Sequence, residues 1–373
     1  MLIAIRKSIF VLGLISSIHL ECFGDLNQDD LIDVFDIIIL INNIVNQNHV
    51  DILNDMNNDS DLNIQDIVII ANTILNVENP CLIFWGQETN SSPHYYFASD
   101  IDNFQIDRVI NYYNIARLAW GNWGPLEFWI VGTGISEAES LDSTYCYLRT
   151  ELNSCLDDNY LQWCLNREYS FTDYAVNGGA GLSLMREFEF NCLGYSYMEI
   201  TLSSQYPFPN ESDYDVVTMH EYFHAYQHAH IFTFDYNERA NLMVINPWWS
   251  EGGAEYMAHL LYSQQPGVDN NYLRQVMEWK MQSKNDLFDG EMISDIPYGP
   301  RAYIAYDLGT WAIAYLISIV DIDSYKSDFY NDLNEYGWEQ SFNINFNMSS
   351  DQFLSEFHNF LSFDIDEQLN IIP

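Results

Sequence analysis

The segment HEYFH, at residues 220–224, decides how the rest of the chain is interpreted. The stretch from Val216 to His230 has helical periodicity, and positions i and i+4 of a helix share one face. His220 and His224 are therefore expected to reach the same metal ion. Glu221 follows the first histidine, where its carboxylate can take a proton from a water molecule at that ion. Two imidazoles at this spacing predict zinc.

A catalytic zinc site needs a third protein ligand, and the sequence offers two. His230 lies six residues after His224, the spacing of the metzincin form HExxHxxGxxH. That form has a glycine three residues after the second histidine, whereas this chain has Gln227, which disfavours the left-handed turn. Glu251 lies 27 residues after His224, where a second helix can return it to the site. The sequence favours Glu251 over His230.

The pair of motifs HEYFH and WWSEGGAEY (residues 248–256) resembles the gluzincin metallopeptidases, in particular the collagenase-like and aminopeptidase N-like branches. The resemblance covers roughly residues 100 to 360 and implies that Glu251 is the third zinc ligand. It also implies that Glu255 orients a zinc-bound histidine. Tyr306, in the segment YDLG, would stabilise the oxyanion, with Tyr303 as the alternative for that role.

The substrate class follows from a motif that is missing. The GxMEN stretch with which aminopeptidases capture a free amine has no clear counterpart, and only Tyr197-Met198-Glu199 echoes it. Residues 195–202 predict an edge strand just before the zinc helix, which would hold an extended peptide by strand addition. An endopeptidase is therefore expected. A zinc hydrolase acting on a non-peptide amide would use the same chemistry.

An internal repeat with a period of 30 residues occupies positions 25 to 76, and each copy passes from an acidic loop into an apolar helix. Both loops have oxygen-bearing side chains at positions 1, 3, 5, 9 and 12, with a backbone carbonyl at position 7, as calcium loops of EF-hand type require. The predicted calcium ligands are Asp25, Asn27, Asp29, Asp33 and Asp36 in the first copy, and Asp55, Asn57, Asp59, Asn63 and Asp66 in the second.

The duplicated loop and helix, with Asp at position 12 of each copy, resembles the dockerin type I family. The resemblance implies a small all-α calcium-binding domain over residues 25–79, which would attach the protein to a cohesin-like partner. Positions 10 and 11, which help to choose the partner in dockerins, are Val34-Phe35 and Ile64-Gln65 here. They replace the hydroxyl pairs of many cohesin binders.

The length of 373 residues predicts more than one domain. In the remainder, residues 81–373, strand-like stretches such as 127–131 come early and helical stretches come late. That order predicts an α+β fold. Together with the resemblance, it gives a gluzincin-like catalytic domain with a small upstream sheet and a helical C-terminal half, preceded by the dockerin-like domain.

Residues 1–24 have the pattern of an export signal, with Arg6 and Lys7 before a short apolar run and small residues near Gly24. A membrane anchor is the alternative for this segment. Cleavage after Gly24 would leave five cysteines, so one or two disulfides are expected in the secreted protein.

The net charge of −41, from 54 acidic and 13 basic residues, disfavours nucleic acid and anionic membranes as partners. The sequence thus predicts a secreted zinc-dependent peptidase, acting on a peptide or protein substrate, with a calcium-binding attachment module. The alternative is a calcium-dependent binding or scaffold protein with a catalytically silent zinc domain. Glu221 argues against that alternative, because a silent domain has no need of a general base.

Overall fold

The computed structural model divides the chain into two compact units, Met1–Ile83 and Phe84–Pro373. The residues it describes are 26, 34–45, 62–76, 88–89, 92–152, 158–167, 170–185, 197–231, 233, 236–243 and 247–373.

The first unit contains two helices that pack on each other, α1 (Val34–Val45) and α2 (Ile64–Asn76). Leu40 of α1 and Ile70 of α2 are fully buried at their contact. These two residues stand at equivalent positions of the repeat, so the apolar faces of both copies meet in one small core.

The second unit begins with four strands, β1 (His94–Phe97), β2 (Leu126–Val131), β3 (Ala180–Met185) and β4 (Tyr197–Ser203). They form one sheet in the order β1-β2-β4-β3, in which β2 is parallel to β1 and β4, and β3 is antiparallel to β4.

The strand predicted over residues 195–202 exists, but its predicted position at the edge was wrong. β4 has β2 on one side and β3 on the other, so β3 is the edge strand next to it. Strand-like composition identifies a strand but does not predict which strands lie beside it. β3 has the sequence AGLSLM, which contains few of the β-branched and aromatic residues typical of strands.

Helices make up the rest of the second unit. They are α3 (Asn103–Trp120), α4 (Ile135–Leu152), α5 (Asp158–Cys164), α6 (Phe171–Asn177), α7 (Ser212–Ala229), α8 (Tyr236–Met243), α9 (Pro247–Ser263), α10 (Tyr272–Lys280), α11 (Ala302–Ile319), α12 (Phe329–Tyr336), α13 (Trp338–Phe346), α14 (Ser350–Phe360) and α15 (Ile365–Gln368). An early sheet followed by a helical half confirms the α+β prediction.

Both faces of the sheet are covered, and every residue of β2 and β4 is buried. Phe128 and Ile130 face the main core, which contains residues of α3, α7, α9 and α11. Trp129 and Val131 face a second core formed with α4, α5 and α6. Side chains of a strand alternate between its faces, so one strand supplies both cores. The disulfide Cys146–Cys164 joins α4 to α5 there, and Cys81, Cys155 and Cys192 lie outside the described residues.

Two glycines allow α9 and α11 to pack with their backbones in contact. A Cβ on Gly252 would collide with the backbone of Gly309, and a Cβ on Gly309 would collide with the backbone of Trp248. The glycines of WWSEGGAEY and YDLG are therefore needed for packing.

One helix among the described residues, α11, is long and apolar enough to cross a bilayer. Of its 18-residue apolar stretch, 61% is buried inside the fold. Leu308, Trp311 and Ile313 of this helix are fully buried in the main core. Its apolar composition therefore matches its position at the centre of the helical half.

Candidate metal centre

Helix α7 presents His220 and His224 one turn apart on the side that faces a cleft. Their Nε2 atoms are 3.0 Å apart, and the two rings are nearly perpendicular. Both side chains are buried among the main-core residues of α7. The burial holds the rings in place, and the two nitrogens approach one point.

Helix α9 brings Glu251 to that point. Its Oε2 lies 3.0 Å from Nε2 of His224 and 3.3 Å from Nε2 of His220. Ligand atoms at about 2.0–2.1 Å from a tetrahedral zinc ion are roughly 3.3 Å from one another, so the three atoms have a suitable spacing. Two imidazoles and one carboxylate are also a donor set that zinc accepts, with a fourth position left open. Within the described ranges this is the one such group of potential ligands.

The charges at the triad favour a cation between its members. Burial alone would lower the pKa of His224, but the Glu251 carboxylate, with smaller contributions from Glu221 and Gln227, raises it to about 9. Burial alone would raise the pKa of Glu251, but the two imidazoles hold it well below its usual range. A divalent ion bound here would replace the proton that His224 and Glu251 share in its absence.

Glu221 lies on α7 between the two histidines and also lines the cleft. It is 6% exposed, and burial raises the pKa of its carboxyl against the opposing effect of His220 and His224. A carboxyl group with a raised pKa gives up and takes back a proton closer to neutral pH, as a general base must.

Gln227 supports His224 and was missed as a site residue in the sequence. Its Oε1 lies 2.8 Å from Nδ1 of His224, and its Nε2 donates to the carbonyl of Ser250 at 3.0 Å. An acceptor at Nδ1 fixes the tautomer that presents the Nε2 lone pair to a metal. The signal in the sequence is a polar residue one helical turn after His224, at the position where the metzincin form has glycine.

Glu255 lies behind His220. Its Oε1 is 3.6 Å from Nδ1 of His220, an electrostatic contact that is longer than a hydrogen bond. Its Oε2 is 3.1 Å from Nε2 of His259 and 3.1 Å from Nζ of Lys280. Neither His259 nor Lys280 was recognised from the sequence.

The two tyrosines proposed for the oxyanion lie in different places. Tyr306 lines the cleft, where burial and the nearby Glu251 raise the pKa of its hydroxyl and keep it a proton donor. Tyr303 donates to Asp286 at 3.0 Å and is 48% exposed, outside the cleft lining. A third tyrosine, Tyr298, donates to Oε1 of Glu251 at 2.8 Å. It was missed because it lies 47 residues from its partner, in a segment between helices.

His230 is not part of the triad. Nδ1 of this residue lies 2.7 Å from the carbonyl of Tyr226, and its ring packs on Trp123 and Tyr330. It is 6% exposed, so it is a core histidine. His228 instead lines the cleft.

The cleft has a volume of about 680 Å³ and places the triad beside the edge strand. No lysine or arginine belongs to its lining in the described part of the chain. Its other lining residues are Gly179, Ala180, Gly181 and Leu182 at the edge strand, Tyr206, Pro207 and Val217, Ala240 and Met243 of α8, and Ser250.

Of the predicted calcium ligands, three lie in the described residues. Asp36 and Asp66, at position 12 of each loop, are fully buried at the starts of α1 and α2. Asp36 accepts from the amide of Leu26, and Asp66 from the amide of Asn63, both at 2.8 Å. The predicted ligands Asp25, Asn27, Asp29, Asp33, Asp55, Asn57 and Asp59 lie outside the described residues.

Comparison of the chain with models of protein families, with curated proteins and with solved structures finds no match.

Proposed function

We propose that this protein is a secreted zinc-dependent endopeptidase of gluzincin type, with a dockerin-like calcium-binding module. The observation that supports the proposal most is the convergence of His220, His224 and Glu251 within 3.0–3.3 Å of one another, in a cleft that also contains Glu221. The two histidines and Glu251 would hold the ion. Zinc supplies Lewis acidity, which makes water a better nucleophile and a carbonyl carbon a better electrophile.

The remaining roles fall to side chains of the chain. Glu221 takes a proton from the attacking water and then delivers it to the leaving amine. Tyr306 donates a hydrogen bond to the carbonyl oxygen as negative charge develops on it. Tyr298 holds one oxygen of Glu251, so that the other oxygen alone faces the two imidazoles.

An endopeptidase is favoured by what surrounds the triad. The edge strand β3 lies along the cleft, where an extended peptide can add to it by backbone hydrogen bonds. Among the described residues no lysine or arginine lines the cleft to pair with a terminal carboxylate, which argues against a carboxypeptidase. The missing GxMEN segment argues against an aminopeptidase.

Export and attachment belong to the same proposal. The disulfide Cys146–Cys164 supports an oxidising location, in agreement with the signal-like pattern of residues 1–24. The buried Asp36 and Asp66 occupy the positions from which a carboxylate would close each calcium loop. We propose two calcium ions for this module and a cohesin-like partner for its surface.

The test is hydrolysis of an unbiased peptide library by the zinc-loaded full chain, read by mass spectrometry. We expect internal cleavage that 1,10-phenanthroline abolishes and added zinc restores. The isomer 1,7-phenanthroline, which cannot chelate, is the matched control and leaves cleavage unchanged. A zinc-loaded protein that cleaves no peptide would favour the silent scaffold, and trimming only from one end would favour an exopeptidase.

A further inference from the structure

A buried polar network behind the triad joins α9, α10 and α11. Lys280, the last residue of α10, lies 3.1 Å from Oε2 of Glu255 on α9 and 3.0 Å from Oδ1 of Asp307 on α11. The other oxygen of Asp307 accepts from Ser283 at 2.5 Å. Of the lysines in the described residues, Lys280 alone is buried, at 4% exposure. A buried ammonium is costly unless it is paired, and here it has two carboxylates.

The network divides the two oxygens of Glu255 between different partners. Oε2 is shared by Lys280 and His259, each at 3.1 Å, whereas Oε1 points to Nδ1 of His220. His259 is itself held by Tyr272, whose hydroxyl lies 2.8 Å from its Nδ1. With Oε2 fixed in this way, Oε1 is the oxygen left to face the histidine of the triad.

We infer that Lys280 is a positioning residue for the metal centre. It acts through Glu255, whose carboxylate it orients towards His220 and whose negative charge it offsets. His220 is thereby held with Nε2 towards the ion. The inference rests on the zinc site of the proposed function and adds to it a residue from a helix that contributes no ligand. Mutation of a residue that supports a metal ligand typically reduces metal affinity by about 10–100-fold.

The test compares zinc affinities of the full chain by competition with a fluorescent zinc chelator. Lys280→Met is expected to weaken zinc binding by about 10–100-fold. Lys284→Met is the matched control, since Lys284 follows in the next turn and donates to the carbonyl of Leu361, away from the triad. It is expected to leave zinc affinity unchanged.

A double-mutant cycle separates positioning from a structural role. In a Glu255→Gln background, Lys280→Met is expected to cause little further loss of zinc affinity, because the carboxylate that Lys280 orients is gone. An equal loss in both backgrounds would overturn the inference and assign Lys280 to helix packing alone. Should Lys280→Met fail to fold, Lys280→Met/Asp307→Asn removes the ammonium together with one of its carboxylates. The zinc affinity of this double variant is then compared with that of Asp307→Asn alone.

The outcomes distinguish this inference from the proposed function. Equal zinc affinity in wild type and in the Lys280 variants would overturn the role of Lys280 and leave the proposed zinc peptidase intact. Wild-type protein that binds no zinc overturns both.

Discussion

Helix α7 and the residue that caps it contain histidines of two kinds, and the difference between His220 and His224 on one side and His230 on the other lies in what packs against them. His220 and His224 face α9, which supplies Glu251 and Glu255. His230, just past the end of the helix, is enclosed by aromatic rings, with centroids 4.5 Å away at Trp123 and 4.4 Å away at Tyr226. A histidine beside carboxylates is thus a candidate metal ligand, whereas a histidine enclosed by aromatic rings is a core residue.

The comparison also shows why spacing alone is a weak guide. His230 has the spacing of a third metzincin ligand, but the chain continues as helix through Gln227 to Ala229. Without a left-handed turn, His230 stays in line with the helix and packs on Tyr226 and Tyr330. The ligand position passes to a residue from another helix.

The largest expected effect comes from Glu221, the proposed general base between His220 and His224. Glu221→Gln should reduce kcat for peptide cleavage by roughly 10²–10⁴-fold, because the amide cannot accept the proton of water. Zinc stoichiometry, measured by mass spectrometry of the metal, should stay the same. Glu211→Gln, at the exposed start of α7, is the matched control and should keep full activity. Full turnover by Glu221→Gln would refute the assignment of the base.

The next effect distinguishes the two candidates for the third ligand. Glu251→Ala should weaken zinc binding more than ~100-fold, beyond the usual range for outer-shell partners, because a direct ligand is lost. His230→Ala should leave zinc affinity unchanged and lower the unfolding temperature instead, because it opens a cavity in the core. Chelator competition and thermal unfolding measure the two quantities. The reverse pattern would support the metzincin arrangement.

A smaller effect is expected at Gln227, which lies between His224 and His230 in the sequence. Gln227→Leu removes the acceptor at Nδ1 of His224 and should reduce zinc affinity by about 10–100-fold. Gln227→Glu keeps an acceptor there and should retain most of the affinity. Equal losses in the two variants would show that Gln227 acts through packing or through its donation to the carbonyl of Ser250, and not as the acceptor at Nδ1.

The smallest effect concerns the pH dependence of stability at His230. Burial lowers the pKa of this residue below 6.5 in the folded protein. Above pH 6.5 the imidazole is neutral in both states. As the pH falls from 6.5 towards the folded pKa, the unfolded chain takes up the proton more readily and the free energy of unfolding falls.

His230→Phe removes this proton uptake. The variant should lose less stability than wild type between pH 7.5 and pH 5.5, by at most about 1.4 kcal/mol, because pH 5.5 lies only one unit below the ordinary pKa of 6.5. Urea unfolding at the two pH values measures the difference. Identical losses would mean that His230 takes up a proton equally well in both states.

Local patterns in the sequence predicted the parts of the site that lie within one helix or one motif. Helix geometry places His220 and His224 on one face, and the WWSEGGAEY motif predicted Glu251 as the third ligand. The strand β4 followed from composition, but its internal place in the sheet depends on β3, whose sequence is a poor strand pattern.

The residues that the sequence could not supply act across helices. Tyr298 is 47 residues from Glu251, and Lys280 is a single buried lysine at the end of α10. Neither position departs from an ordinary amphipathic or loop pattern. Their roles arise only when α9, α10 and α11 pack together, which the close approach of Gly252 and Gly309 permits for α9 and α11.

Zinc K-edge X-ray absorption of the zinc-loaded full chain tests the central claim most directly. We predict a first shell of nitrogen and oxygen atoms at about 2.0–2.1 Å, with the scattering signature of two imidazoles and no sulfur. Three imidazoles in that shell, or sulfur at about 2.3 Å, would contradict a site built from His220, His224 and Glu251.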